Sequence, residues 1–295
     1  MKMKGYNNQH INIYSISHTD YIYIGMVRFD ILADKNFGKK NILIKLWEHY
    51  LWASSEELIR NNTHVPEHVY DSISRWYNQY TQDHRPLEYI IGQAYFDTRL
   101  FRIDERAMIP RPETEYMIAA VNESIVWPAT VIDLWSGCGV LWQSIYLDNP
   151  WLITLIQTGI SHPSLDLART NAKNHNVEAL FVQWSLLEPV SRDISWDIII
   201  IANLPYIPED TFDQNVAESA KRREPRLAFV WWPDGLDRYR DLFGQLAAHP
   251  YKQWVILYLE MMTRQVEILH TEFPHLIYEI KKTFHFNIVI VEYKI

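Results

Sequence analysis

The stretch VIDLWSGCGVLW, residues 131–142, decides how the rest of the chain is read. An apolar run ends in Asp133, a short loop with Gly137 and Gly139 follows, and apolar residues resume at Val140. A strand that empties into such a loop lets backbone approach a ligand closely, because glycine has no Cβ and adopts positive φ freely. Trp135 stands in that loop, where the smallest residue is wanted. On its own, Gly-x-Gly reads better as a plain strand-to-helix turn.

Outward from the loop, short apolar runs alternate with helical spacing. Strands are predicted at 129–134, 152–157, 179–183, 197–202, 254–260 and 285–294, and helices include 163–175 and 235–248. Strand-helix alternation argues for a mostly parallel sheet covered on both faces, with ligands at the carboxyl ends of the strands. Upstream, residues 95–109 alternate in part and read as a hairpin, and Pro110–Glu115 is a loop feeding a helix from Tyr116. Earlier still the period is helical. Leu43, Leu46, Trp47, Tyr50 and Leu51 share one face, Ser54–Glu57 reads as a capping box, and Pro66 opens a helix carrying Val69, Ile73, Trp76, Tyr77 and Tyr80. The expected organisation is an extension of no assigned role at 1–40, a helical domain at 41–94, and a hairpin with an α/β domain at 95–295.

Composition narrows the classes. The 295 residues, 48% hydrophobic, support a sizeable core. No apolar run reaches the roughly 18–20 residues of a membrane span. The start, MKMKGYNNQHINIY, lacks the apolar core of a signal peptide. A single cysteine, Cys138, excludes an internal disulfide framework and suits the cytoplasm. The net charge of −8 argues against broad nucleic-acid binding. The 12 histidines show no metal-ligand spacing, so no metal is expected.

A second motif, Asn203-Leu204-Pro205-Tyr206, follows the run 197–202 and so projects from a strand's carboxyl end. An Asn side chain offers an acceptor and two donors in one plane, which suits gripping an amide or an exocyclic amine. In order, IPRPETE at 109–115, DLxxGxG at 133–139, NLPYI at 203–207 and REPRLA with PDGLDRYR at 223–240 resemble the bacterial release factor glutamine methyltransferases. RPLEYIIG at 85–92 agrees, and the resemblance runs from about residue 42 to the C-terminus. It implies a Rossmann-like fold that uses S-adenosylmethionine (SAM) to methylate the side-chain amide of the glutamine in the Gly-Gly-Gln motif of peptide chain release factors. By that resemblance Asn203, Pro205 and Tyr206 are catalytic, and Leu204, Arg111 and Glu113 join them in holding substrate. Asp133, Trp135, Ser136, Gly137, Cys138, Gly139, Gly159, Ser185, Leu186 and Asn203 hold SAM. The 41–94 domain recognises the release factor, and the chain is expected to act as a monomer in the cytoplasm.

The departures from that family are patterned. Tryptophan stands at 135, 184, 231 and 232 where glycine is expected, at 142 where a small residue is usual, and at 52 where a helix-ending glycine is common. The chain has 9 glycines and 12 tryptophans. Average usage of about 7% predicts roughly 21 glycines, which the two residues together would supply. The pattern is that of an organism reading the opal codon as glycine. Trp47, Trp76 and Trp196 read instead as genuine core aromatics. A separate departure is Gly159, where an acidic residue for the ribose hydroxyls is usual, and Ser185 replaces a frequent Asp. Two other functions stay open: a methyltransferase acting on a nucleic-acid base amine, and a non-catalytic relative that binds a translation factor.

Overall fold

In a computed structural model, the chain divides into two compact units, residues 1–91 and 92–295. The structure describes residues 22–24, 27–29, 45, 46, 48, 49 and 67–295, except Val126, Ile153, Pro189, Arg192, Trp232, Pro233, His249, Lys252 and residues 285–287. The capping box at Ser54–Glu57, Trp47, Trp52, Pro66 and most of the 1–40 extension lie outside the described residues.

In the first unit, β1 (Ile22–Ile24) and β2 (Val27–Phe29) form a short antiparallel ribbon. Helix α1 (Glu67–Thr81) begins directly after Pro66 and buries Ile73 completely, while the Trp76 ring lies 6.0 Å from His49. His84 takes a left-handed φ of 52°, and Pro86 then precedes α2 (Leu87–Ile91).

The second unit opens with the hairpin of β3 (Gln93–Phe96) and β4 (Arg99–Arg102). Its two turn residues, Asp97 and Thr98, both have positive φ (46° and 60°), the geometry that matches strand twist in a two-residue turn. The hairpin starts two residues earlier than the alternation suggested; its last backbone bond runs from Ile103 N–H to Gly92 O, and residues 103–111 form no strand. Helix α3 (Glu115–Ser124) leads into β5 (Thr130–Leu134), α4 (Val140–Asp148), β6 (Thr154–Gly159), α5 (His162–Asn174), β7 (Leu180–Gln183) and β8 (Ile198–Ala202). Two short helices, α6 (Phe212–Asn215) and α7 (Glu218–Arg223), precede α8 (Asp237–Ala248). The chain closes with β9 (Val255–Met262), α9 (Thr263–Glu272), β10 (Ile277–Thr283) and β11 (Ile288–Lys294).

The seven-stranded sheet has the order β10-β11-β9-β8-β5-β6-β7. β5 to β9 run parallel, and β11 is antiparallel to both neighbours. β5 (TVIDL) and β8 (IIIIA) are buried at every position, as central strands covered on both faces must be. After β5 the chain builds outward to β6 and β7, then crosses back to β8 on the other side of β5. Strand order reverses there, and the crevice above β5, β6 and β8 is where such sheets bind ligands.

Candidate active site

The glycine loop is shaped by three left-handed residues: Trp135 (φ 59°), Gly137 (55°) and Gly139 (82°). Gly139 caps α4, and a Cβ there would come within 2.6 Å of Gln143 Nε2 and 3.1 Å of Ala168 Cβ. Asn171 of α5 ties the loop to the hairpin: its Nδ2 donates to the carbonyls of Cys138 (2.9 Å) and Arg102 (3.0 Å), and its Oδ1 accepts from Arg102 N–H (2.7 Å). Ser136 N–H donates to Thr158 O across to β6. Cys138 is buried, and burial pushes its thiol up to about 12, so it packs rather than reacts.

Trp135 is the anomaly of the loop. An L-residue forced into the left-handed region costs about 1–2 kcal/mol. Its indole packs edge-on against Trp231 at 5.4 Å, and its Nε1 is buried with no partner. Arg238 lies 4.3 Å over the Trp231 ring and donates to Ser185 Oγ at 3.2 Å. Trp184 and Trp231 have no such backbone demand, while Trp142 is buried against Phe181 with its own Nε1 unpartnered. Trp196, expected in the core, is 47% exposed. Behind the loop, Asp133 is buried with Oδ2 unpartnered, and burial pushes its carboxyl well above the usual range.

On the adjacent strand, β8 delivers Asn203 at the same level. Asn203 Nδ2 donates to Thr114 Oγ1 at 3.1 Å, and Thr114 Oγ1 donates to Glu260 Oε2 at 2.8 Å. Tyr206 Oη donates to Glu260 Oε1 at 3.0 Å. The Tyr206 carbonyl accepts from Gln265 Nε2 at 2.8 Å and touches Gly235, where a Cβ would sit 2.2 Å from that oxygen. Only glycine at φ 73° allows this approach. Burial, with Glu260 beside it, pushes the Tyr206 phenol well above its usual value. Arg111 pairs with buried Glu224 at 2.9 Å, and Glu224 also accepts from Ile109 N–H, so the PRPETE and REPR segments are bound to each other.

These segments enclose a cleft of about 160 Å³. Of the residues singled out in the sequence, Asp133, Trp135, Ser136, Gly137, Cys138, Gly159, Asn203, Pro205 and Arg111 border it. Gly139, Ser185, Leu186, Leu204, Tyr206 and Glu113 do not. Gly139 faces α4, Ser185 meets Arg238, Leu186 and Leu204 are fully buried, and the Tyr206 hydroxyl turns in to Glu260. Sequence reasoning missed Thr114, Phe96, Met108 and Leu227 on the cleft wall and Glu260 beneath it. The signal for Glu260 was present: an acidic residue closing an otherwise apolar strand, VILYLE.

A parallel sheet turned back at its last crossing, carrying this loop and this Asn turn on neighbouring strands, defines a Rossmann-like SAM-dependent methyltransferase. The catalytic domain of hMettl16, solved in complex with a MAT2A 3′UTR hairpin, shares the fold: TM-score 0.50 and 13% identity over 78% of this chain and 81% of that one. No family model matches the chain. It is 34% identical over 184 residues to the release factor glutamine methyltransferase of Streptococcus pneumoniae, covering 62% of this chain and 63% of that protein. It is 32% identical over 199 residues to that of Bacillus cereus, covering 64% and 69%. The chain belongs to the release factor glutamine methyltransferase family, and the alignments span about two thirds of those relatives.

Proposed function

We propose that this chain transfers a methyl group from SAM to the side-chain amide nitrogen of the glutamine in the Gly-Gly-Gln motif of peptide chain release factors. The observation that carries the reading is Asn203, which borders the same cleft as the glycine loop from the neighbouring strand. The cleft's groups suit SAM. The backbone at Gly137 is open, and Asp133 keeps a buried oxygen without a partner. Bound there, SAM supplies a methyl group activated by its positively charged sulfur. Asp133, Ser136, Gly137, Cys138, Gly159 and Asn203 would hold it, and Gly139, Ser185 and Leu186 would support the loop from behind.

An amide nitrogen is a poor nucleophile because its lone pair is delocalised, and it carries no charge to remove before attack. Placement is therefore the main lever, and holding reactants in line supplies on the order of 7–11 kcal/mol. Asn203 Oδ1 accepts from the substrate NH2 and Pro205 walls the slot. Leu204, whose carbonyl accepts from Tyr239 Oη, and Tyr206, whose hydroxyl turns in to Glu260, hold the turn from behind. Tyr206 stays a neutral phenol and takes no proton. Arg111 shapes the rim through its pair with Glu224, and Glu113 acts from outside the cleft. The helical unit recognises the release factor, and the enzyme works as a cytoplasmic monomer. Among the described residues, no helix is long and apolar enough to cross a membrane.

Trp135 favours a second reading of the chain as written: an indole in the SAM cleft leaves a protein that binds its translation factor without methylating it. A paired assay separates the two. The literal chain and one with glycine at 135, 184, 231 and 232 are each mixed with SAM and a release factor, and the Gly-Gly-Gln peptide is weighed by mass spectrometry. Methylation by either protein supports the transferase, and methylation only by the restored one makes the tryptophans a translation artefact or a lesion. Methylation by neither, with both folded, leaves the binding protein. Opal codons at those four positions in the gene would establish the recoding, and ordinary Trp codons would exclude it.

A further inference from the structure

Glu260 is 1% exposed. A carboxylate so far from water is costly unless its oxygens are hydrogen-bonded. Its donors come from separate segments: Thr114 ahead of α3 and Tyr206 after β8. The Thr114 hydroxyl has one proton to give. Given to Glu260, it leaves Oγ1 able only to accept from Asn203, so Asn203 turns its NH2 end inward. Among the described residues none donates to Asn203 Oδ1, and that side chain borders the cleft.

We propose that Glu260 is a positioning residue: through Thr114 it fixes the polarity of the Asn203 amide, so that the slot presents an acceptor and selects a carboxamide over a carboxylate. The proposal rests on the glutamine reading above and deepens it, since it gives the reason that glutamine rather than glutamate is held. An Asn203 turned the other way would offer NH2 to the slot and suit a carboxylate. The ionised form of Glu260 is what matters, because a protonated Glu260 has a donor of its own and lets the Thr114 hydroxyl reverse. Burial raises Glu260 to about 7; nearby Glu113 pushes the same way, and the hydrogen bonds from Thr114 and Tyr206, with the Asn203 amide close by, oppose it. Tyr239 of α8 donates to the Glu260 backbone carbonyl at 2.5 Å. Discrimination should therefore weaken as pH falls below about 7.

The test compares a release factor carrying Gly-Gly-Gln with its Gly-Gly-Glu variant. Binding of each is measured by calorimetry, and methylation of the first by mass spectrometry, using the full chain with and without Trp135→Gly. The parent should prefer the glutamine form. Glu260→Gln, whose own NH2 can donate to Thr114, should cut that preference roughly tenfold. Thr114→Val should do the same, and Thr114→Ser should keep it. The preference should fall below pH 7 in the parent and be flat with pH in Glu260→Gln. An unchanged preference in a folded Glu260→Gln protein, from a parent that methylates the release factor, overturns this proposal alone. A parent that neither binds nor methylates either form overturns the glutamine reading and this proposal with it. Should Glu260→Gln fail to fold, Thr114→Val decides, since it leaves Glu260 in place.

Discussion

The glycine loop and the Asn203 network sit on neighbouring strand ends and are built in opposite states. Around Asn203, Thr114, Tyr206 and Glu260, each hydroxyl donates and the buried carboxylate accepts at both oxygens. In the loop, Trp135 holds a left-handed backbone, its indole N–H has no partner, and Asp133 keeps an unpartnered oxygen. Buried polar groups are expected to be satisfied, so each exception asks for an explanation. The contrast locates the fault: the half proposed to hold substrate has its hydroxyls and buried carboxylate hydrogen-bonded, and the half proposed to hold SAM carries one residue its backbone does not suit.

The largest expected effect lies in the hydrogen-bonded half. Asn203→Ala removes the group proposed to hold the amide, and a misplaced nucleophile costs about a hundredfold or more. Methyl transfer should fall by at least that factor while the melting temperature stays near the parent's. A variant that transfers normally would break the contrast, because the ordered network would then have no catalytic meaning. Next comes Gly235→Ala. The added Cβ would overlap the Tyr206 carbonyl, and φ of 73° disfavours it as well. Destabilisation of about 2–3 kcal/mol is expected from strain and overpacking together, read by denaturant unfolding. A neutral result would mean the Tyr206 turn can shift without loss.

Trp135→Gly sharpens the comparison from the other side. Relief of the left-handed penalty should add about 1–2 kcal/mol of stability, partly offset by the freedom glycine gains when unfolded. SAM affinity, read by calorimetry, should rise. Equal affinity in both proteins would show that the indole does not stand in the way, and the steric argument would be dropped.

The parallel frame was legible because central strands such as IIIIA and their neighbours are continuous apolar runs bounded by turn residues. β10 was not legible. It lies at the sheet edge, with Ile277 72% exposed and an irregular register between Ile280 and Lys282, so IYEIKKT shows no clean apolar face. The loop and the Asn203 turn could be read from the order of their motifs. Glu260 could not be assigned a role, because its partners lie 146 and 54 positions away in sequence. Trp135 is a visible misfit in the sequence, as a bulky residue between glycine-loop neighbours. The backbone angle supplies the physical reason: that position needs φ near 59°.

The smallest expected effect concerns Cys138, three residues beyond Trp135. Its thiol is buried and held up at about 12, so at pH 8 it is almost wholly protonated and shielded. The folded chain should react with a thiol-specific disulfide reagent no faster than it unfolds, and fully once denatured. The outcome bears on how the loop carries Trp135. A closed loop keeps the strain as a static penalty in the native state, which glycine at 135 would remove. Rapid labelling of the folded protein would mean that the loop opens locally to shed the indole. The cost of Trp135 would then appear as lost order around Gly137 and Gly139, and SAM would have to close the loop as it binds.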